Sequence, residues 1–279
     1  FRLSSRVSRM AESGLKGRTA LVTGASSGLG AAFARLLAER GADLIITARR
    51  KDKLDALRAE LEAKHGVAVD VIVLDLSEPG APEKLWNETE GAGRSVDVLV
   101  NNAGGALHRY FADMAWDDVA RQMQLNVLSL TELTHRFVKS MLGRGRGHVL
   151  NVSSIGAYAP SPSLATYSAG KASVRDFTEA LAFELRNTPV RVCCLCPGGT
   201  ITEFHVVAGQ ELPRAIRATF MSAEDCAAIG LRALFGGRRN VVSGIFNALS
   251  VFFMRFVPRR FLVWATARTM GEPRVTGAR

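Results

Sequence analysis

RTALVTGASSGLGAAFARLLAERGADLIITA, residues 18–48, is the stretch of sequence that decides the fold. A short apolar run leads into a turn that contains Gly24, Gly28 and Gly30, and apolar residues then recur at helical spacing. A second apolar run, residues 42–48, follows. A buried strand, a glycine-rich turn, a helix and another buried strand form the unit from which parallel sheets are built. The stretch therefore predicts the start of a parallel α/β sheet.

The rest of the chain repeats this alternation. The predicted strands are 67–76, 96–104, 147–154 and 189–198, and the predicted helices are 28–40, 51–64, 82–90, 115–142 and 164–186. The strands are apolar throughout rather than at every second position, which is typical of strands that are buried on both faces. The sequence therefore predicts a Rossmann-like, doubly wound α/β fold, with a parallel sheet of about seven strands and helices on both faces.

We divide the chain into three parts. Residues 1–15 form an N-terminal tail, without the apolar core of a secretory signal peptide. Residues 1–9 are either foreign to the native chain, which would then start at Met10, or part of a trimmed targeting segment. Residues 16–243 form the Rossmann-like domain, and residues 244–279 form a basic C-terminal extension.

The C-terminal extension mixes apolar residues with arginines, and Pro258 predicts a break between two short amphipathic helices. Proline and charge interrupt the segment too often for one helix to span a bilayer. Peripheral contact of residues 244–270 with an anionic membrane is one interpretation. A cover over a ligand pocket and a contact between subunits are the alternatives.

The 279 residues carry a net charge of +10, and 47% of them are hydrophobic, which is ordinary for a globular protein with a large core. Much of the basic excess lies at the two ends. Residues 1–10 hold three arginines and no acid, and residues 255–279 hold six arginines against one acid. Such ends suit an anionic partner or serve as solubilising tails. No predicted helix places basic residues at base-reading spacing, so we expect no nucleic-acid partner.

Three of the four cysteines, Cys193, Cys194 and Cys196, lie in one apolar run that predicts a buried strand. No second pair of ligands has the spacing of a zinc site, so we expect no metal. Unpaired cysteines suit a reducing compartment, and the expected location is cytoplasmic, with peripheral membrane association as an addition.

Residues 151–171 hold the side chains most suited to proton transfer. Tyr167 and Lys171 are four residues apart, which places them one turn apart on the same face of a helix. A nearby ammonium is expected to lower the pKa of the phenol from its usual value of about 10 and to make it a proton donor and acceptor near neutral pH. A lone pair of this kind usually marks a solvated helix surface, so the interpretation depends on the rest of the chain.

The glycine-rich turn 23–30 lies between the first strand and its helix. Glycines permit close approach of the backbone, and a helix N-terminus offers free N–H groups to a pyrophosphate. In a doubly wound sheet this position predicts a dinucleotide site.

Where NAD-binding sheets often end the second strand with an acid, this chain has Arg49 and Arg50. Arg49 is placed to pair with a 2′-phosphate, which favours NADP over NAD. The alternative is that both arginines are solvated at the start of the next helix.

Polar residues follow the next two strands. Asp75 either accepts a hydrogen bond from the adenine amino group or caps the turn after its strand. Asn101 and Asn102 either tie neighbouring strand ends together or contact the adenosine side of a cofactor, and we expect both. Asn126 lies in an apolar helical run, where it needs a partner. It either bends the helix and holds a water or bonds to a neighbouring helix.

These motifs occur in an order that resembles the short-chain dehydrogenase/reductase family, over roughly residues 16–243. The matching residues are Thr-Gly-x-x-x-Gly-x-Gly at 23–30, Asp75, Asn-Asn-Ala-Gly at 101–104, Asn126, Ser154, Tyr-x-x-x-Lys at 167–171 and Pro-Gly-x-x-x-Thr at 197–202. The resemblance implies a single-domain oxidoreductase of the NADP-preferring type. In the NADP-binding members a second basic residue sometimes precedes the middle glycine, but this chain has Ser27 there.

The resemblance also implies the roles of the site residues. The catalytic set would be Ser154, Tyr167, Lys171 and Asn126: Tyr167 as general acid, Lys171 tuning it and bonding the ribose, Ser154 donating to the substrate oxygen, and Asn126 holding a relay water. The cofactor-binding set would be Gly24, Ser26, Ser27, Gly28, Leu29, Gly30, Arg49, Asp75, Leu76, Asn102, Ala103, Gly104, Tyr167, Lys171, Pro197, Gly198, Thr200 and Thr202. Ser153 is a rival to Ser154, and the thirteen-residue gap to the tyrosine selects Ser154.

Specificity is expected to come from the loops after the fifth and sixth strands. The predicted substrate pocket comprises Ile155, Tyr158, Leu164, Phe204 and His205. These loops are largely apolar, so a hydrophobic or lipid-like carbonyl compound is the expected substrate, with a small substrate in a dry cleft as the alternative. His148, at the start of a strand, is not expected to be catalytic. We expect a homodimer or homotetramer. The alternative function is a catalytically weak nucleotide-binding regulatory protein on the same fold.

Overall fold

The computed structural model describes residues 14–201, 208 and 220–270. Seven parallel strands form one sheet in the order β3-β2-β1-β4-β5-β6-β7. The strands are β1 Thr19–Thr23, β2 Asp43–Ala48, β3 Val69–Val73, β4 Val98–Asn101, β5 Gly147–Val152, β6 Val190–Cys196 and β7 Asn240–Val242. The helices are α1 Gly28–Glu39, α2 Lys51–His65, α3 Ala81–Asn87, α4 Trp116–Met123, α5 Ser129–Arg144, α6 Ala165–Glu184, α7 Ala223–Phe235, α8 Ile245–Met254 and α9 Arg259–Met270. The predicted doubly wound fold is confirmed.

Two apolar cores explain why the strands are hydrophobic throughout. Ile46 of β2 packs in the core that includes Phe33 of α1 and Phe235 of α7. Its neighbour Ile45 packs in the core on the other side of the sheet, with Phe137 of α5. Successive strand residues point to opposite faces, so a sheet covered by helices on both sides needs apolar residues at every position.

The predicted helix 115–142 is wrong in one respect: it is two helices, α4 and α5, joined by a π-helical turn at Gln124–Leu128. Asn126 lies in this turn and is almost completely buried. Its Nδ2 donates to the Gly105 carbonyl oxygen at 2.7 Å, and its Oδ1 accepts from the Gly105 N–H at 3.1 Å. The wider turn allows this side chain to reach the loop after β4. Single π turns inside α-helices often occur at functional sites.

The strand order reverses around β1, which pairs with β2 on one side and with β4 on the other. The crevice at the carboxyl ends of the strands at such a point is where doubly wound sheets bind ligands. A buried amide pair fixes the neighbouring strand ends: Asn101 Nδ2 donates to Asn151 Oδ1 at 2.9 Å, and Asn151 Nδ2 donates to Thr178 Oγ1 at 3.1 Å. Asn101 therefore ties the ends of neighbouring strands together, which is the structural role that was predicted for it.

His148 lies near the other end of the sheet, at the start of β5. Its ring packs edge-on against Phe235 at 5.2 Å between centroids. Burial, together with the Arg191 charge, lowers the pKa of His148 to about 4. This placement agrees with the expectation that His148 takes no part in proton transfer at the carboxyl end of the sheet.

The low pKa of His148 predicts that the fold loses stability in acid. The unfolded chain binds this proton at its ordinary pKa of about 6.5. Between pH 6.5 and about 4 the unfolded state therefore binds more protons than the folded state, and stability falls as pH falls through that window. The expected loss is about 3 kcal/mol. Urea unfolding at several pH values should show a shallower acid slope for His148→Gln than for the parent chain. The exposed residue His135 provides the matched control: His135→Gln should keep the parent slope, and an equal flattening in both variants would contradict the assignment.

Candidate active site

One cavity of about 500 Å³ follows the carboxyl ends of β1, β2, β4, β5 and β6. It runs from the arginines after β2 to the buried lysine of α6. The predicted residues that line it are Gly24, Ser26, Ser27, Gly28, Leu29, Arg49, Asp75, Leu76, Asn102, Ala103, Gly104, Ser154, Ile155, Leu164, Tyr167, Lys171, Pro197, Gly198 and Thr200. The structure therefore brings into one place side chains that are spread over most of the sequence.

Two glycines of the glycine-rich turn, Gly24 and Gly30, leave no room for a Cβ. Gly24 has a φ of +68°, and a Cβ there would come within 2.9 Å of the Ala103 Cα. A Cβ on Gly30 would come within 2.1 Å of the Gly24 carbonyl oxygen, so Gly30 serves close packing of α1 rather than the cavity wall. Ser27, the N-cap of α1, makes no capping hydrogen bond with its side chain. The first N–H groups of α1 are thus available to an anionic ligand, as a pyrophosphate site requires.

Asn102 joins this turn to the loop after β4. Its Nδ2 donates to the Thr23 carbonyl oxygen at 2.9 Å, and its backbone N–H donates to Thr23 Oγ1 at 3.0 Å. Asn102 also lines the cavity. The side chain therefore holds the ends of β1 and β4 together at the place where a cofactor would pass.

Two guanidinium groups flank the end of β2. Arg49 is exposed, and its Nη1 lies 3.6 Å from Asp75 Oδ2. Arg50 turns back over the glycine-rich turn, where its Nη2 donates to Ser27 Oγ at 2.7 Å and to Ser26 Oγ at 3.1 Å. Both arginines line the cavity. Arg50 therefore places a guanidinium beside Ser27 in the cavity wall.

Asp75 acts as the cap of the turn that follows β3. Its Oδ1 accepts from the Ser77 N–H at 2.9 Å and from Ser77 Oγ at 2.7 Å. Burial alone would raise the pKa of Asp75, but the bonds from Ser77 and the charges of Arg49 and Arg121 outweigh it and hold the pKa below the ordinary value. The carboxylate stays ionised, with Oδ2 turned toward the two arginines.

The phenol and the ammonium at the other end of the cavity are both buried, with 9% of Tyr167 and 4% of Lys171 exposed. Burial raises the pKa of Tyr167 to about 12, against the smaller effect of its hydrogen bond with Ser154. Lys171 Nζ lies 5.9 Å from the centroid of the Tyr167 ring and donates to the Val152 carbonyl oxygen at 2.9 Å. The expected lowering of the phenol pKa by Lys171 is thus wrong for the chain by itself, because desolvation dominates.

Burial also lowers the pKa of Lys171, to about 8. A Cβ on Gly104 would meet Asn126 Oδ1 at 2.8 Å and Lys171 Nζ at 3.3 Å. The amide of Asn126, the ammonium of Lys171 and the loop after β4 therefore meet at one point beneath the cavity. Asn126 itself does not line the cavity, which suits a positioning residue rather than one that touches substrate.

Ser154 lies opposite Tyr167 at the start of a short 3₁₀ turn, Ile155–Ala157. Its Oγ accepts from the Gly156 N–H at 3.0 Å, so the hydroxyl proton remains for donation. The Oγ of its rival Ser153 instead donates to the Lys171 carbonyl oxygen at 2.6 Å. The two serines therefore differ in role: Ser153 fastens α6, and Ser154 is paired with the phenol.

Of the predicted substrate-pocket residues that the structure describes, Tyr158 alone lies outside the cavity. Its hydroxyl contacts Cys196 Sγ at 3.7 Å and accepts from Asn240 Nδ2 at 3.0 Å, and the Arg175 guanidinium lies 4.6 Å from its ring centroid. The ring therefore points toward β6 and β7 and away from the cavity. Thr202, Phe204 and His205 lie outside the described residues.

The structure adds lining residues that the sequence did not indicate. Leu125, Phe220 and Thr269 contribute to the cavity wall, as do Thr47, Ala48, Arg50, Leu74, Gly105, Ala106, Val152, Ser153, Gly156, Ser161 and Gly199. Thr269 belongs to α9, so the C-terminal extension is part of the site. A sequence signal existed for Arg50, because it adjoins Arg49. For Thr269 the signal was less specific: a cover over a ligand pocket was one interpretation of the C-terminal extension as a whole.

Known proteins share this architecture. The family model for short chain dehydrogenase matches residues 18–212. The 7beta-hydroxysteroid dehydrogenase of Collinsella aerofaciens is 30% identical over 239 residues, which cover 84% of this chain and 89% of that protein. A short-chain dehydrogenase from Sphingobium yanoikuyae, solved with NADPH, has a TM-score of 0.76 at 30% identity and covers 86% of this chain and 94% of its own.

A short chain dehydrogenase/reductase from Burkholderia phymatum, solved with NAD, has a TM-score of 0.77 at 25% identity, and the match covers 86% of this chain and 93% of its own. The structural relatives therefore include both an NADPH complex and an NAD complex. The matching family model and the 30% identity over most of the chain show that the chain belongs to the short-chain dehydrogenase/reductase family, and its relatives support an oxidoreductase that acts on a carbonyl group or the corresponding alcohol with a nicotinamide cofactor.

Proposed function

We propose that the protein is an NADP(H)-dependent oxidoreductase that interconverts a ketone and a secondary alcohol. The observation that carries this proposal is the placement of Ser154, Tyr167 and Lys171 at one end of a cavity whose other end is flanked by Arg49 and Arg50. A cofactor needs a phosphate-binding end, and a carbonyl needs a proton donor beside the nicotinamide. The two ends of this cavity meet those two requirements.

The residues present fit a dinucleotide. Gly24 and Gly28 would let a pyrophosphate approach the backbone closely, and the uncapped N-terminus of α1 would hold it. Lys171 would bond the ribose next to the nicotinamide. The loop that contains Pro197, Gly198 and Thr200 would flank the nicotinamide ring, and we extend this role to Thr202. The bound cofactor supplies the hydride in reduction or accepts it in oxidation.

In the reduction, Tyr167 donates its proton to the carbonyl oxygen as negative charge develops there. With a pKa of about 12, the phenol keeps this proton throughout the neutral range. Ser154 donates a second hydrogen bond to the same oxygen, since its own Oγ is held by the Gly156 N–H. Beneath the phenol, Asn126 would position a water, and this water together with Lys171 would form the path by which a proton reaches Tyr167.

The end of β2 supports NADP rather than NAD. An acid at this point would repel a 2′-phosphate, whereas Arg49 and Arg50 present two guanidinium groups to it. Arg49 is also paired with Asp75, but the guanidinium is exposed and the two charged groups are 3.6 Å apart, so the Arg49 side chain is free to turn. Arg50 already contacts two hydroxyls of the phosphate-binding turn.

The substrate end of the cavity favours an apolar carbonyl compound. Leu164 packs with Ala106 and the Tyr167 ring, and Ile155, Leu125 and Phe220 add further apolar wall. A steroid, a 3-oxoacyl compound or a related lipid-like ketone is therefore the proposed class. A cytoplasmic location and assembly of two or four identical subunits belong to the same proposal.

A carbonyl panel followed by NADPH absorbance tests the proposed substrate class. We expect kcat/KM to rise from small diketones to steroid ketones and 3-oxoacyl thioesters by about tenfold or more, because each buried methylene adds binding free energy of about 0.8 kcal/mol. A preference for the small diketones would contradict the lipid-like class. An absence of turnover with all of them, together with tight NADPH binding, would favour the nucleotide-binding regulatory function.

A further inference from the structure

Helices α8 and α9 are each shielded from solvent along only one narrow stripe. In α8 the shielded residues are Asn247, Val251 and Met254, and in α9 they are Leu262 and Thr266, all at spacings of three or four residues. Most of the remaining surface is exposed, although it is rich in large apolar side chains: Phe246 is 82% exposed, Phe253 60%, Phe256 72% and Trp264 58%. Apolar patches of this kind usually mark a site of interaction.

The same surface carries only positive charge. Between Cys226 and Gly271 the sequence contains no acid, and α8–α9 with their connection carry Arg255, Arg259, Arg260 and Arg268. Within residues 14–201, 208 and 220–270, no salt bridge reaches any of these four arginines. Arg255, Arg260 and Arg268 instead lie over aromatic rings, 5.9, 5.1 and 4.8 Å from the centroids of Phe252, Phe261 and Trp264.

Both helices are fastened to the loops of the active site. Thr266 Oγ1 donates to the Pro160 carbonyl oxygen at 2.7 Å, in the loop that follows Ser154. Asn247 Nδ2 donates to the Ser243 carbonyl oxygen at 2.7 Å, and it lies so close to Gly198 that a Cβ there would come within 2.0 Å. The helix pair therefore holds a defined position beside the substrate end of the cavity, whose wall includes Thr269.

In the described part of the chain, no helix is both long enough and apolar enough to cross a membrane. An aromatic and arginine-rich helix pair of this length instead has the composition of segments that lie in the headgroup region of an anionic bilayer. Trp and Phe rings enter the boundary between headgroups and chains, while guanidinium groups bind lipid phosphates. A second copy of this chain would bring four more unpaired arginines to the same face, and their repulsion disfavours that occupant.

We infer that α8 and α9 form a docking face for an anionic lipid bilayer, which places the substrate end of the cavity beside the membrane surface. Phe246, Phe253 and Phe256 insert between lipids, and Arg259 and Arg260 contact phosphate groups. Uptake of an apolar carbonyl compound from the bilayer rests on the proposed function, whereas docking does not.

Co-sedimentation of the full chain with vesicles tests this docking. The chain should bind vesicles made of equal parts of phosphatidylcholine and phosphatidylglycerol, and should bind phosphatidylcholine vesicles far less. Each arginine near an anionic surface adds roughly a fivefold gain in binding, so Arg259→Gln/Arg260→Gln should weaken binding about 25-fold. Phe253→Ser/Phe256→Ser should weaken it about tenfold or more. The parent binding should fall as salt is raised.

Arg238→Gln/Arg239→Gln is the matched control, because it removes the same charge from the segment before β7, at the opposite end of the sheet from α8. It should bind vesicles as the parent does; an equal loss in both arginine pairs would show general charge attraction and overturn the inference. Equal binding of the parent and Arg259→Gln/Arg260→Gln would also overturn it. A change in the oligomer mass of Arg259→Gln/Arg260→Gln without a change in its vesicle binding would overturn it as well, because the face would then be a subunit contact. Tyr167→Phe should sediment like the parent, so failure of docking and failure of the proposed catalysis remain distinguishable.

Discussion

Replacement of Tyr167 by phenylalanine is expected to lower kcat for carbonyl reduction about 10³-fold, the usual contribution of a well-placed general acid. The variant removes one hydroxyl and keeps the ring, which packs with Leu164 and Ala106. NADPH binding, measured by fluorescence titration, should change by no more than about threefold, because most of the cofactor contacts lie elsewhere in the cavity. A fall in kcat with an unchanged Kd would therefore assign the hydroxyl to the chemical step.

Tyr158→Phe is the matched control, because it removes the same atom from a second tyrosine in the same segment. The Tyr158 hydroxyl contacts Cys196 and Asn240 rather than the cavity. We expect kcat to stay within about threefold of the parent value. A large loss in Tyr158→Phe would show that the loop is organised differently in the active enzyme. Full activity in Tyr167→Phe would refute the role of Tyr167 outright.

The sheet could be predicted because its information is local. The central strands are short, largely apolar runs, and each connection between them is long enough for a helix, so the periodicity distinguishes these elements. The edge strand β7 has only three half-buried residues, Asn240–Val242, and was not located from the sequence. The break between α4 and α5 could not be predicted in this way. The segment Gln124–Leu128 continues the helical pattern of apolar residues, and the π turn follows from the contact of Asn126 with Gly105, which is distant in the sequence.

The candidate site shows the same limit. Spacing placed Tyr167 and Lys171 on one helix face, but the pKa of the phenol depends on burial, and the i, i+4 relation says nothing of burial. Tyr158 was assigned to the pocket because its loop is apolar. The 3₁₀ turn at Ile155–Ala157 instead directs that ring toward β6, where Arg175 lies over it.

Arg50 illustrates a residue whose role depends on distant contacts. From the sequence it is a second arginine at the start of a helix, where side chains are usually solvated. In the structure its guanidinium reaches back more than twenty residues to Ser26 and Ser27. Two adjacent arginines thus contribute to different parts of the same cavity wall, Arg49 beside Asp75 and Arg50 over the phosphate-binding turn.

Replacement of Arg49 by aspartate is expected to reverse the cofactor preference. The change removes a guanidinium from the end of β2 and adds a carboxylate that repels a 2′-phosphate and accepts hydrogen bonds from the ribose hydroxyls of NAD. We expect the ratio of kcat/KM for NADPH to that for NADH to fall about 100-fold, in line with the cost of reversing one partner of a charge-assisted pair. Steady-state kinetics with both cofactors and one ketone measure this ratio directly.

Two further variants show which arginine reads the phosphate. Arg50→Gln keeps a polar side chain over Ser26 and Ser27 but removes the charge, and should lower the same ratio by only about tenfold. Lys64→Asp makes the same reversal of charge as Arg49→Asp near the far end of α2, roughly 20 Å along the helix. At physiological salt a charge at that distance is screened, so the ratio should keep the parent value. A larger effect from Arg50→Gln than from Arg49→Asp would move the phosphate contact to the glycine-rich turn, and no effect from either would show that another residue reads the 2′-phosphate.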